Sequence, residues 1–261
     1  MHHEVVSEPI VLVHGGAHGA WCWRPLLPYL NTDVLAVDLP PKSVRGAPQR
    51  SPAPEELATT TIDDFVVSTI RDIEAAGFDR FVLVGHSMGG LTIAELTRRI
   101  PHRVAHLVFV SCMVPREGGL VLDGVPSDSQ SRARHLVENG ASGQQPVAGL
   151  DEPTIRFMFC NDMDENQTGF VLRHTGPEAL GVFGERVSRL GIPPTLPKTY
   201  IRLLRDRALP PGDQNRAIRN LRASPGGSVD VDELDAGHDV MISFPTELAR
   251  ILNRIVSRLA V

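Results

Sequence analysis

Short β-branched and apolar runs alternate along the chain with stretches whose apolar residues recur every three or four places. The runs lie at 10–13, 34–37, 81–84, 104–110, 199–204 and 229–234. Several are apolar almost without a break, which predicts strands buried on both faces. Between them, 63–76 reads as a helix with Val66, Ile70, Ile73 and Ala76 on one side. Thr61 and Asp64 form a capping-box pattern at its start, and Gly77 is a natural stop. A second helix is predicted over 88–100, ended by Pro101. A third, over 246–259, follows Pro245 and places Leu248, Ile251, Ile255 and Leu259 together. Strands alternating with helices in this way predict an α/β architecture, a mostly parallel sheet of about six strands flanked by helices.

The rhythm breaks between Pro115 and Pro197, where glycine, proline and polar residues increase and no strand run stands out. An excursion from a parallel sheet tends to lie above the C-terminal strand ends, where ligands bind. The chain is therefore expected to comprise a core of 1–114 and 198–261, with 115–197 as a cap or lid.

Composition narrows the range of functions. With 42% hydrophobic and 22% charged residues and a formal charge of −5, the 261-residue chain is an ordinary globular protein. It lacks the basic bias that nucleic-acid binding requires. No apolar stretch is long enough to span a membrane. The start, Met1-His2-His3-Glu4-Val5-Val6, has no basic region ahead of a long apolar run, so no signal peptide is expected. Cys22, Cys112 and Cys160 are far apart and are expected to be reduced and buried, as suits a cytoplasmic protein.

The candidate chemistry begins at Gly85-His86-Ser87-Met88-Gly89, a G-x-S-x-G pattern between a predicted strand and a predicted helix. On such a sharp turn a serine hydroxyl projects above the sheet, and glycines two before and two after remove Cβ collisions. Ser87 is the candidate nucleophile. After the first strand comes His14-Gly15-Gly16-Ala17-His18-Gly19-Ala20-Trp21, a loop able to turn backbone N–H groups towards a reacting carbonyl. Gly16 and Met88 would then supply the oxyanion hole. The glycines do not match a phosphate-binding G-x-G-x-x-G or G-x-x-x-x-G-K-[ST] pattern. His14, His18 and His86 lack the spacing of a metal motif, so no metal is expected.

A hydrolytic triad also needs a histidine base and a carboxylate to orient it, in the order Ser, Asp or Glu, His. His238, after the last predicted strand, is preferred over His102, His106, His135 and His174. Asp206, after the preceding strand, is the expected acid, with Asp213 as the alternative and a surface ion pair with Arg205 or Arg207 as the plainer reading. Asp239 stands too close to His238 in sequence to orient it. His14 is expected to brace its loop, and His18, Trp21, Phe157, Met158, Phe159 and Phe170 to line the substrate pocket, with packing inside the cap core as the equal alternative for the cap aromatics.

The motifs Val-His-Gly-Gly-Ala-His-Gly-Ala-Trp, Gly-His-Ser-Met-Gly-Gly and Arg-Asp-Arg-Ala-Leu-Pro resemble the α/β-hydrolase superfamily. The likeness is to the esterase branch of plant methylesterases, hydroxynitrile lyases and bacterial pyrethroid-hydrolase-like esterases. It spans nearly the whole chain and implies an α/β-hydrolase fold with Ser87, Asp206 and His238 as triad and Gly16 and Met88 as oxyanion hole. Gly15 and Asp239 depart from the lyases, which carry threonine and lysine there, and a serine nucleophile departs from epoxide hydrolases and dehalogenases. The implied activity is cleavage of a small apolar carboxylic ester through an acyl-enzyme, without cofactor, by a chain acting alone or as a homodimer. A biosynthetic lactonase, thioesterase, C–C hydrolase or cyclase on the same fold is the alternative, and a non-catalytic ligand-binding protein the third reading.

Overall fold

A computed structural model describes residues 7–41, 52–127, 130, 131, 134, 150–224 and 227–259. His2, His3 and His135 lie outside these residues, as does part of the expected cap. Six strands form one parallel sheet in the order β2-β1-β3-β4-β5-β6. They are β1 Ile10–Val13, β2 Val34–Val37, β3 Phe81–His86, β4 Val104–Val110, β5 Lys198–Leu203 and β6 Asp230–Leu234. The helices are α1 Pro54–Thr59, α2 Ile62–Ala76, α3 Gly89–Arg99, α4 Glu152–Phe159, α5 Glu165–His174, α6 Pro211–Arg222, α7 Val240–Ser243 and α8 Pro245–Leu259.

The unbroken apolar runs follow from burial on both sides. Val11, Val13, Leu83, Leu107 and Phe109 pack on one face with α2, α3 and α6. Their alternates Ile10, Leu12, Val82, Val84, Val108 and Val110 pack on the other, against Leu248, Ile251, Leu252 and Ile255 of α8. The period of two along each strand sends neighbours to opposite faces, so both must be apolar. At the edge, β6 keeps little of this pattern, and Val231 is exposed.

Helix α2 begins as its sequence predicts. Thr61 Oγ1 accepts from Asp64 N–H, Asp64 Oδ2 accepts from Thr61 N–H, and Gly77 ends the helix at φ +71°. Its buried stripe is Ile62, Phe65, Val66, Thr69 and Ile73. Ala76, expected on that stripe, is the last helical residue and faces solvent.

Strand order decides where loops diverge. From β1 the chain runs outward to β2, then crosses back to β3 on the other side of β1. The loops leaving β1 and β3 therefore part at a switch point, the place where an open parallel sheet has a crevice at its C-terminal edge. These are the loops of Gly15-Gly16 and of Ser87. Helix α3 starts so close to β1 that a Cβ on Gly89 would stand 2.6 Å from the Val13 carbonyl oxygen. Gly89→Ala is accordingly expected to cost about 1–3 kcal/mol of stability and several degrees of Tm, read from thermal unfolding.

Between β4 and β5 the described part of the excursion carries α4, α5 and two short 3₁₀ turns, Val121–Gly124 and Leu180–Gly184. Ile155, Phe159 and Val171 anchor α4 and α5 to the hydrophobic cluster beneath. No helix among the described residues is long and apolar enough to cross a membrane.

Candidate active site

Ser87 sits at the tip of the turn from β3 into α3 with φ +53°, a left-handed conformation rare for a residue with a side chain. Strain of that kind persists only where the surroundings over-determine it. Here Ser87 N–H donates to the Val110 carbonyl at 3.1 Å, and Met113 N–H donates to the Ser87 carbonyl at 3.1 Å. The β1 loop passes directly overhead. A Cβ on Gly15 would lie 2.6 Å from Ser87 Cβ and 3.3 Å from its Oγ, so glycine is required at that crossing.

His238 and Asp206 arrive from the loops after β6 and β5. His238 Nδ1 lies 2.7 Å from Asp206 Oδ2, with the two side chains 2% and 0% exposed. Asp206 Oδ2 also accepts from Ser111 Oγ at 2.6 Å, and Oδ1 from Leu209 N–H at 2.8 Å. The carboxylate is thus held on both oxygens, which fixes the imidazole it faces. The surface ion-pair reading of Asp206 fails because both arginine neighbours turn outward. Arg205 pairs with Asp235 at 3.1 Å, and Arg207 lies over the Phe157 ring at 5.3 Å. Asp213 instead pairs with Arg216 at 2.8 Å in the first turn of α6.

Burial alone would lower the His238 pKa. The charge of Asp206 and the hydrogen bond to it, with Asp239 adding, hold it above the usual histidine value. His86, the residue before Ser87, rests against His238 with ring centroids 4.5 Å apart and donates from Nε2 to the His238 carbonyl at 3.0 Å. Burial drives its pKa well down, helped by the charges of His238 and His18, so it stays neutral. His106 is pushed down to about 4 by burial; it sits within β4 rather than at a helix end, 2.9 Å from Thr199 Oγ1. The cysteines are free and buried, and burial raises each thiol, Cys160 to about 11, which removes them as nucleophiles.

The β1 loop is tied down residue by residue. His14 braces it as expected, donating from Nδ1 to the Gly15 carbonyl at 2.7 Å and accepting from Leu39 N–H at 3.0 Å. His18 lies 2.7 Å from the Gly16 carbonyl through Nδ1 and 2.9 Å from Asp239 Oδ2 through Nε2. The N–H groups of Gly16 and Met88 donate to no group among the described residues, which leaves two backbone donors beside Ser87. A small cavity there is lined by Gly15, Gly16, Leu39, Phe65, Met88 and Glu178.

Three of the expected pocket-lining residues are placed otherwise. Phe157 is 58% exposed and faces Arg207 rather than the site. Met158 packs at the edge of the hydrophobic cluster below α4. On a helix, residues two apart point some 200° from each other, and it is Phe159 that turns inward. Its ring lies 5.5 Å from His238 and 4.9 Å from His18. His18 is 1% exposed, so it belongs to a buried network and not to a pocket mouth. Trp21 stacks on His18 and on His174, each at 5.2 Å.

His86, His238 and Asp239 offer ligand atoms within 4.8 Å of one another. His238 Nδ1 is engaged by Asp206 and Asp239 Oδ2 by His18, and we assign all three to this hydrogen-bond network.

The alpha/beta hydrolase family model matches residues 10–251. The chain belongs to the alpha/beta hydrolase family. It is 28% identical to the carbendazim hydrolyzing esterase of Nocardioides sp. (strain SG-4G), covering 93% of this chain and 97% of that protein. It is 25% identical to methylesterase 1 of Arabidopsis thaliana, covering 99% of each. Among solved structures, an extracellular alpha/beta-hydrolase from a Paenibacillus species superposes with a TM-score of 0.76 at 21% identity, covering 95% of this chain and 98% of that one. That last likeness is one of fold.

Proposed function

We propose that the protein is a serine esterase that cleaves carboxylic esters of small apolar molecules through an acyl-enzyme. The observation that carries this is the buried contact of His238 Nδ1 with Asp206 Oδ2 at 2.7 Å, in a chain whose serine is held at φ +53° between strand and helix. With Nδ1 committed to Asp206, Nε2 of His238 is free to take the Ser87 proton as Oγ attacks the carbonyl carbon. The oxyanion that forms is received by the N–H groups of Gly16 and Met88, the latter at the N-terminal end of α3 where the helix dipole also favours negative charge. His238 then protonates the leaving alcohol, and a water activated by the same histidine releases the acid. The esterase names of the relatives support an ester as substrate, and the aromatic cluster of Trp21, Phe159 and Phe170 packed about His18 and His238 supports apolar surroundings for it.

The test is release of p-nitrophenolate from p-nitrophenyl acetate and butyrate by the purified chain. Saturable turnover above the buffer rate is expected, and none with either ester would sink the proposal. The pH profile adds a signed result. His238 acts only when neutral, and its pKa is raised by Asp206 after burial is overcome. Activity should therefore fall on acidification with a midpoint above the usual histidine value of about 6.5.

A further inference from the structure

The peptide that joins Gly16 to Ala17 is gripped at both ends by side chains that the triad does not use. Its carbonyl accepts from His18 Nδ1 at 2.7 Å, and its N–H donates to Glu178 Oε2. Behind His18 stands Asp239, 2.9 Å from Nε2, the two side chains being 1% and 0% exposed. The ring of His18 thus bridges the Gly16 carbonyl and the Asp239 carboxylate, one through each nitrogen. On the other side, Glu178 Oε1 accepts from Ala179 N–H at 2.8 Å, and Gly176 N–H donates to the Ala17 carbonyl at 2.9 Å. Ala17 itself is held at φ +62°, a region that disfavours a side chain.

We propose that the His18–Asp239 pair and Glu178 are positioning residues that fix the Gly16–Ala17 peptide and thereby aim the Gly16 N–H at the oxyanion. The inference rests on the reading of Gly16 as an oxyanion donor. Gly16 has no Cβ to limit its dihedrals, so left alone its N–H would sample many directions. Holding the next peptide at both ends removes that freedom before substrate arrives, which is what a preorganised donor requires. The grip draws on distant parts of the chain. Glu178 comes from the excursion before β5, and Asp239 follows the candidate base directly, so the seating of residues 176–179 is coupled to the geometry of the hole.

The test compares Glu178→Ala and Glu178→Gln with wild type, using p-nitrophenyl acetate and an aryl trifluoromethyl ketone. The ketone adds Ser87 Oγ to its carbonyl carbon, the proton passing to His238 and the negative charge resting on the former carbonyl oxygen, so its affinity reads the hole. In Glu178→Ala, kcat is expected to fall about 10- to 100-fold with KM little changed. Ketone affinity should weaken by the same factor, and Glu178→Gln, whose single amide oxygen can accept from Ala17 N–H or from Ala179 N–H but not both, should recover only part of each loss. Asp239→Asn should in addition move the acid limb of the pH profile downward, because the Asp239 charge helps hold the His238 pKa up. Unchanged kcat and ketone affinity in folded Glu178→Ala would overturn the proposal, as would a loss confined to KM.

Fluorophosphonate labelling of wild type separates the two levels. Labelled wild type with unaltered Glu178→Ala removes the clamp and leaves the serine reading, whereas unlabelled wild type removes both. Amide hydrogen exchange on wild type needs no variant to fold: slow exchange at Ala17 is expected, and exchange as fast as an open loop would contradict the grip.

Discussion

Replacing Ser87 by alanine is expected to lower kcat for p-nitrophenyl acetate about 10⁶-fold while leaving the fold intact. The size follows from what is lost. Without Oγ there is no covalent intermediate, and water must attack the ester directly. The two backbone donors and the binding surface remain, and such remnants typically retain about 10³–10⁴ of acceleration over water. Stability should hardly move, since serine and alanine share the same conformational cost at φ +53° and the backbone bonds to the Val110 carbonyl and from Met113 N–H persist. A melting curve that overlays wild type, together with the collapse of kcat, is the expected pair of results. A loss smaller than about 100-fold would show that another group performs the attack, since even partial dismantling of such a triad costs more.

The second large effect is expected at Asp206. Asp206→Asn should reduce kcat about 10⁴-fold, because an amide facing Nδ1 allows the wrong tautomer and cannot stabilise the imidazolium. Two features make the site sensitive. The carboxylate is buried, and both its oxygens accept, Oδ2 from Ser111 Oγ at 2.6 Å and Oδ1 from Leu209 N–H at 2.8 Å, so the amide NH₂ loses one of these bonds whichever way it points. The acid limb should also shift to lower pH, since Asp206 is what lifts His238 against its burial. Asp213→Asn is the matched control. Its carboxylate serves Arg216 in α6, and its loss should leave both kcat and the pH midpoint where they were. If Asp206→Asn were fully active and Asp213→Asn impaired, the acid would be reassigned.

The central strands are legible because they are buried on both faces, which forces unbroken apolar runs such as Ile10–Val13 and Val104–Val110, whereas edge strand β6 carries no such run. Ser87 was legible because its turn requires glycine at close quarters, as Gly85 and Gly89 show. His238 and Asp206 followed from their places after successive strands. Other features left no local trace. Whether Phe157 or Phe159 turns inward depends on how α4 is rotated on its neighbours, and both are aromatic. His18 looks like a loop residue beside glycines; its bond to Asp239, 221 positions away, and its packing against Trp21 and Phe159 take it out of solvent. Asp239 is too close to His238 in sequence to orient it, and nothing beside it in the chain points to the His18 ring that it meets instead. Glu178 reaches Ala17 across 161 positions from a segment without periodic pattern. Contacts of that range depend on how the excursion folds back on the sheet, and nothing in the neighbouring residues encodes it.

Ser87, as a nucleophile activated by His238, can be captured chemically. The folded wild-type chain is treated with a fluorophosphonate, digested, and the modified residue located by peptide mass spectrometry, alongside a heat-denatured sample and His238→Ala. Stoichiometric modification at Ser87 is expected in the native protein, none after denaturation, and slow or absent reaction in His238→Ala. A native, esterase-active protein that stays unmodified at Ser87, or carries the adduct elsewhere, would contradict it.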